Sequence, residues 1–332
     1  MRRGPAAFTL LALLLCACSA PEPAVERARF LVFGTEVEVQ IRGSDPDRTA
    51  IAFAELGAEF QRMHRDWHPW APGALTRLNA ALTTGSWVAD VDADLLRLIE
   101  VSRSLEQRTG GRFNAGIGAL VSLWGFHTSD YPITSPPPSA EAIRALSAKA
   151  PSLLELDIDG GRVRSPNPAL QLDFSGIAKG MAGRLACERL AVLDLDDALI
   201  NLGGDVVICA PGRPWRIAIS DRGEGLLEVR SLSGPLAIFT SGNDQRWGEW
   251  QGERYAHILD PSTGQPVDHV MQATVIDRDP ILADAAATAL VVAGPDWKAL
   301  ASDLALDQVL VIDAEGQVHR AESPTTPGPP PD

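Results

Sequence analysis

Two residues one helical turn apart, Asp284 and Thr288, put a carboxylate and a hydroxyl on one face of the otherwise apolar stretch ILADAAATALVV at 281–292. An oxygen-only pair suits Mg2+, which prefers oxygen ligands and keeps phosphate oxygens as partners. A Thr bonded back to a backbone carbonyl, next to an Asp near a helix start, accounts for the same pair without a metal. A second candidate is QLDFSGIAKGMAG at 171–183. Its helix start gathers unpaired N–H groups and the positive end of a dipole, where a phosphate is a natural neighbour. Lys179 occupies that first turn, where a structural helix prefers an acid. The chain has only three lysines, so one placed here points to an anion; a tight crossover with a surface lysine is the alternative.

Other segments offer binding groups with less specificity. Thr240, Ser241, Gly242 and Asn243 collect hydroxyls and amides, as a ligand site or a polar turn would. His257 is a lone histidine beside a strand, a structural hydrogen-bonder or a base. The glycine-rich loop at 110–118, carrying Asn114, Ala115 and Gly116, exposes backbone groups without side-chain obstruction. His64 and His68 stand at i,i+4, but Pro69 and Pro72 end the helix there, so no zinc site is expected. Trp67 and Trp70 in the same segment suit stacking on a planar ligand, or packing.

These residues need elements to hold them. Alternation of Leu170, Leu172 and Phe174 with Gln171 and Asp173 predicts a strand, broken by Ser175 and Gly176 and followed by a helix from Ile177. Residues 47–63 and 94–107 carry helical periodicity, as do 139–149 and 281–292. Strands are predicted over 30–41 with an interruption at Gly34, and over 198–209 with a break at Gly203 and Gly204. Further strands at 215–220, 226–229, 236–241 and 273–276 make the second half rich in antiparallel sheet, and a hairpin is expected around Asp159. Residues 18–29 read as a linker, 30–320 as one folded domain and 321–332 as a disordered tail.

The 332 residues with 45% apolar content are ample for a core. A net charge of -14 argues against nucleic acid and means that a phosphorylated ligand needs a metal or a local basic pocket. Residues 1–17 read as a secretory signal, and the end of that run, Leu15-Cys16-Ala17-Cys18, resembles the bacterial lipobox, which implies cleavage before Cys18 and lipidation of it. With Ser19 following, the expected location is the periplasmic face of the outer membrane. Cys187 and Cys209 are read as two buried thiols.

Taken in series, Gly34-Thr35, LTRLN at 75–79, GGRFNAGIGALVSLWGF at 110–126, LDFSGIAKG at 172–180, INLGGDV at 200–206, TSGN at 240–243, HILDPSTGQPV at 257–267 and DAAAT at 284–288 resemble the ApbE family of FAD:protein FMN transferases. The resemblance implies an α+β fold with antiparallel-rich sheets, packed helices and FAD in a cleft between two lobes. It implies Mg2+ near the pyrophosphate, held by Asp284, Thr288 and the Ala178 carbonyl. Asp173 and Lys179 would face FAD as substrate, Asn114 to Gly118 would line its pocket, and Trp70 would stack on the flavin. The implied reaction moves FMN from FAD to a Thr or Ser hydroxyl of a target flavoprotein and releases AMP, with His257 as base and Asp173 in reserve. An FAD pyrophosphatase and a non-catalytic flavin-binding lipoprotein are the alternatives.

Overall fold

The computed structural model describes residues 23–221, 225–243 and 246–322. The expected signal segment, lipidation at Cys18 and residues 323–332 of the expected tail lie outside them. The chain forms an α+β fold around an eight-stranded, wholly antiparallel sheet. In spatial order its strands are β1 (Val25–Val32), β2 (Thr35–Arg42), β5 (Ala198–Leu202), β6 (Asp205–Ile208), β9 (Leu236–Gly242), β12 (Val270–Asp277), β13 (Gln308–Asp313) and β14 (Val318–Glu322). Three hairpins stand outside it: β3 (Asp157–Asp159) with β4 (Arg162–Arg164), β7 (Trp215–Asp221) with β8 (Gly225–Leu232), and β10 (Trp247–Trp250) with β11 (Glu253–Ala256). The helices are α1 (Pro46–Asp66), α2 (Ala74–Leu82), α3 (Ala93–Arg108), α4 (Gly118–Leu123), α5 (Ala140–Ser147), α6 (Ala178–Val192), α7 (Pro280–Ala293) and α8 (Trp297–Asp303).

Alternation decides which face of the sheet each side chain joins. Val37, Val39, Ile200, Val207, Phe239, Val275 and Val311 enter the large core with the helices, while Leu199, Val206, Ile208, Ile238, Ile276 and Leu310 face the opposite way. That second face is covered by Trp215, Ile217 and Ile219 of β7. Central strands buried on both faces explain the continuous apolar runs in β5, β6 and β13. A third, separate cluster joins Ile117, Leu120 and Trp124 around α4 to Phe126, Ile133, Ile143 and Leu259, and forms a smaller lobe.

Three expectations change. The segment read as a linker supplies β1 from Val25 onward, pairing Val25 with Arg42. Residues 170–174 have the buried alternation of a strand but form only one bridge, Gln171 to Ile117. Their hydrogen bonds go elsewhere: Gln171 N donates to Gly116 O (3.2 Å) and Asp173 N to Ala115 O (2.8 Å). Cys187 and Cys209 are not thiols but a disulfide, joining α6 to the end of β6 across 22 residues. The pairing depends on α6 packing against β6, a tertiary contact that leaves no local trace in the sequence.

Candidate functional site

The motifs spread along the sequence meet in pairs. Asn79 of α2 is 7% exposed, accepts from Leu172 N (2.8 Å) and donates to Leu172 O (2.9 Å), so its amide replaces a neighbouring strand. Trp124 Nε1 donates to Gly264 O (2.8 Å), tying α4 to the turn built by Asp260, whose Oδ1 accepts from Ser262 N and Oγ. Gly203, in the β5–β6 turn with φ +73°, faces Thr35, whose Oγ1 a Cβ there would meet at 2.2 Å. Gly180 lies against α7, where a Cβ would come within 2.4 Å of Pro280 O. Each glycine marks a close approach that a larger residue blocks.

Between the lobes lies an open cleft of about 1190 Å3, counting its mouth. Its lining includes the apolar and aromatic residues Trp70, Ile117, Val121, Phe126, Tyr131 and Leu259. Among them stand the polar residues Asp173, Lys179, Thr240, Ser241, Arg246, His257, Asp284 and Thr288, with the Phe126 ring 6.2 Å from that of His257 and Arg246 over the Tyr131 ring. Of the residues singled out in the sequence, Trp70, Asn114, Ala115, Asp173, Lys179, Ser241, His257, Asp284 and Thr288 are thus brought to one cavity. Gly116 is not on its wall; its Cα side packs toward Leu153 and Leu170, and its N–H donates to Asn114 Oδ1 (2.7 Å). Asn114 Nδ2 donates to Pro151 O (2.9 Å), so this amide braces its own loop. Ala178 starts α6 and offers the cleft no side chain.

Asp284 is 4% exposed and accepts from Gly180 N (2.7 Å). Burial pushes its carboxyl up to about 7, with Asp205 adding to the rise and Lys179 opposing it. Lys179 pairs with Asp205, whose other oxygen accepts from Thr240 N (2.8 Å). Burial works against the Lys179 ammonium, but Asp205 and Asp284 hold its pKa above the ordinary value. The lysine that pointed to an anion is therefore half-buried and tethered by one carboxylate, with a second at hand. Thr288 Oγ1 lies 3.0 Å from Ser241 Oγ.

His257 Nδ1 lies 3.0 Å from Arg246 O. A carbonyl only accepts, so Nδ1 carries the hydrogen and Nε2 keeps its lone pair. Burial, then the Arg246 charge, push this imidazole down to about 4. Asp173 is the opposite case. Burial acts to raise its carboxyl, yet the bonds from His127 and Ser175 prevail and hold it below the usual range. Its Oδ1 accepts from Ser175 N (2.9 Å) and Oγ (2.5 Å), and its Oδ2 meets His127 Nε2 at 3.0 Å.

Sequence reasoning missed His127, Arg246, Tyr131 and Asp205. Asp205 carried a signal, an acid directly after a double glycine in an apolar strand pair; the others are isolated residues in loops. His64 and His68 serve the backbone: His64 Nδ1 accepts from Phe33 N (3.1 Å) and His68 Nδ1 from Ala71 N (3.0 Å).

Among the described residues no group of three or more His, Cys, Asp or Glu stands together for a metal. Any ion here would rest on one carboxylate with hydroxyl and carbonyl oxygens, a hard set that suits Mg2+ rather than zinc. The buried Asp284 carboxyl, pushed toward its neutral form, is a group that a cation would restore to charge. The residues fit such an ion.

Fold and cleft define a two-lobed α+β protein whose cleft mixes aromatic rings with charged and oxygen-bearing side chains. The chain belongs to the ApbE family, which residues 33–310 match. It is 42% identical over 310 residues to an FAD:protein FMN transferase of Rhodobacter capsulatus, an alignment covering 90% of this chain and 57% of that protein. The chain thus spans little more than half the length of that relative. A protein of the same name from Klebsiella pneumoniae is 30% identical over 275 residues, covering 79% and 77%. Among solved structures, an ApbE protein of Thermotoga maritima matches with a TM-score of 0.81 at 29% identity, over 90% of this chain and 97% of that one. The apo form of the Pseudomonas stutzeri flavinyl transferase ApbE matches at 0.78 and 30% identity, over 91% and 96%.

Proposed function

We propose that this protein transfers FMN from FAD to a Thr or Ser hydroxyl of a target flavoprotein, releasing AMP. The observation that carries the reading is the cleft lining, where Lys179, Arg246, His257 and the Asp284–Thr288 pair converge among aromatic rings. Family membership and the names of the relatives support it.

Lys179 and Arg246 supply the positive charge that a pyrophosphate needs in a chain of net charge -14. Asp284, Thr288 and the Ala178 carbonyl would hold Mg2+, which neutralises charge on phosphate oxygens when bound. Trp70 and the apolar lining residues take the isoalloxazine. His257 Nε2 accepts the proton of the acceptor hydroxyl as its oxygen bonds the phosphorus of the FMN moiety. The phosphorus–oxygen bond to AMP breaks, and the proton passes to the leaving phosphate. An imidazole held near 4 before substrate binds is neutral and ready to accept, and the incoming anion offsets Arg246 and Lys179 and so strengthens the base. Asp173, with both oxygens already bonded, is the weaker base.

Export to the periplasm, with a lipid on Cys18 anchoring the chain to the outer membrane, belongs to the same proposal. The disulfide supports an oxidising compartment. The test is incubation with FAD and Mg2+, with and without an acceptor flavoprotein, following AMP, free FMN and flavin fluorescence in a denaturing gel. Metal-dependent fluorescence on the acceptor is expected, and Asp284→Ala abolishes it. Free FMN and AMP made at the same rate without acceptor would make the protein a pyrophosphatase and refute the transferase reading; bound but uncleaved FAD would make it a carrier.

A further inference from the structure

Trp70 belongs to neither a helix nor a strand, yet its ring is fixed. The His127 ring stacks on it at 5.2 Å between centroids and 20° between planes, and His68 meets it edge-on at 4.4 Å and 80°. His127 itself is not on the cleft wall, whereas Trp70 and Asp173 are. Its side chain is 9% exposed, and Nε2 points at Asp173 Oδ2, 3.0 Å away. Asp173 is ionised, held below the usual carboxylate range, so it accepts and His127 donates. The same carboxylate fixes Ser175 through two bonds, and the next residue, Gly176, lies against Thr288, whose Oγ1 a Cβ there would meet at 3.3 Å.

We infer that His127 is a positioning residue with two separable duties: its ring face holds Trp70 for the flavin, and its N–H holds Asp173, and through it the turn beside Thr288. The inference rests on the reading that a flavin lies against Trp70. Each duty has its own chemistry, flat aromatic area for one and a single donor for the other. The face sets how firmly the substrate ring is received, which is ground-state binding. The N–H sets the geometry at the reacting phosphate, where misplacement is felt in the chemical step.

Two variants divide the duties. His127→Phe keeps a ring behind Trp70 and removes the donor; His127→Gln keeps an N–H near Asp173 and removes the ring. FAD affinity is measured by quenching of flavin fluorescence, turnover by AMP release, and the Trp70 environment by near-ultraviolet circular dichroism without FAD. His127→Gln is expected to weaken FAD binding about tenfold with kcat within about threefold. His127→Phe is expected to keep the affinity within about threefold and lose about tenfold or more in kcat. The near-ultraviolet tryptophan signal should change in His127→Gln and persist in His127→Phe. Equal losses of affinity and kcat in both variants, or no loss in either, would overturn the inference. The binding and dichroism arms report on His127 even if no transfer occurs, so failure of the transferase reading is distinguishable.

Discussion

Acidification should remove activity in two separable steps, one belonging to Asp284 and the other to His257. The Asp284 carboxyl is pushed up to about 7, so below that pH the protein holds a proton where the proposed Mg2+ would bind. Binding then expels the proton, and apparent affinity falls tenfold for each pH unit below the pKa. At pH 5 about one molecule in a hundred has Asp284 ionised, so the apparent Mg2+ dissociation constant rises about a hundredfold relative to pH 8. His257, down at about 4, goes the other way in consequence. A depressed imidazole pKa keeps the base neutral until the pH approaches that value, and at pH 5 about nine-tenths of it can still accept a proton. With limiting Mg2+ the acid limb of AMP release should therefore fall near pH 7, and raising Mg2+ should move it down to the pKa that His257 has with FAD bound, which lies above 4 because the anion offsets Arg246 and Lys179. Calorimetric titration of Mg2+ at pH 5, 6, 7 and 8 checks the binding step without catalysis. An acid limb that Mg2+ concentration does not move, together with a Mg2+ dissociation constant unchanged between pH 5 and 8, would refute the reasoning, because it would mean an already ionised Asp284.

Three further outcomes follow from packing. Gly180→Ala places a methyl group against Pro280 O and the Asp284 Cβ, so α6 and α7 must part; a loss of about 1–3 kcal/mol in denaturant unfolding is expected, with weakened Mg2+ binding. Asn79→Ala orphans Leu172 N and O in the core, and should cost about 2–4 kcal/mol by the same assay. Replacing Cys187 and Cys209 together by Ala should lower stability by about 3 kcal/mol, and a reducing agent should then shift the wild-type unfolding midpoint but not that of the double variant.

Most helices were legible because their apolar periods are long and their ends are marked. Asp45 and Asp279 cap α1 and α7 with the side-chain bonds that such residues make before a helix. The strands of the main sheet were legible as apolar runs, but their order was not, since register between β2 and β5 or β9 and β12 leaves no local trace. Residues 170–174 show how a correct period can mislead: burial alternates as in a strand, while an asparagine side chain and two loop carbonyls take the place of the ladder. At the site, Asp284, Thr288, Lys179 and His257 stood out because their types conflict with their surroundings. Asp205, which answers Lys179 from 26 residues away, and His127, which answers Asp173 from 46, form pairs that only the tertiary fold creates.

The sheet order has a consequence for how the chain reaches its native state. β1 and β2 emerge first, but the partner that β2 requires, β5, follows six helices later, and the central strand β9 then waits for β12. An N-terminal hairpin with an open edge therefore waits unpaired through much of synthesis, the circumstance in which strands find wrong partners. The β2 edge carries Glu36, Glu38 and Arg42 among its apolar residues, charges that discourage such pairing until Ala198–Leu202 arrives to close the sheet.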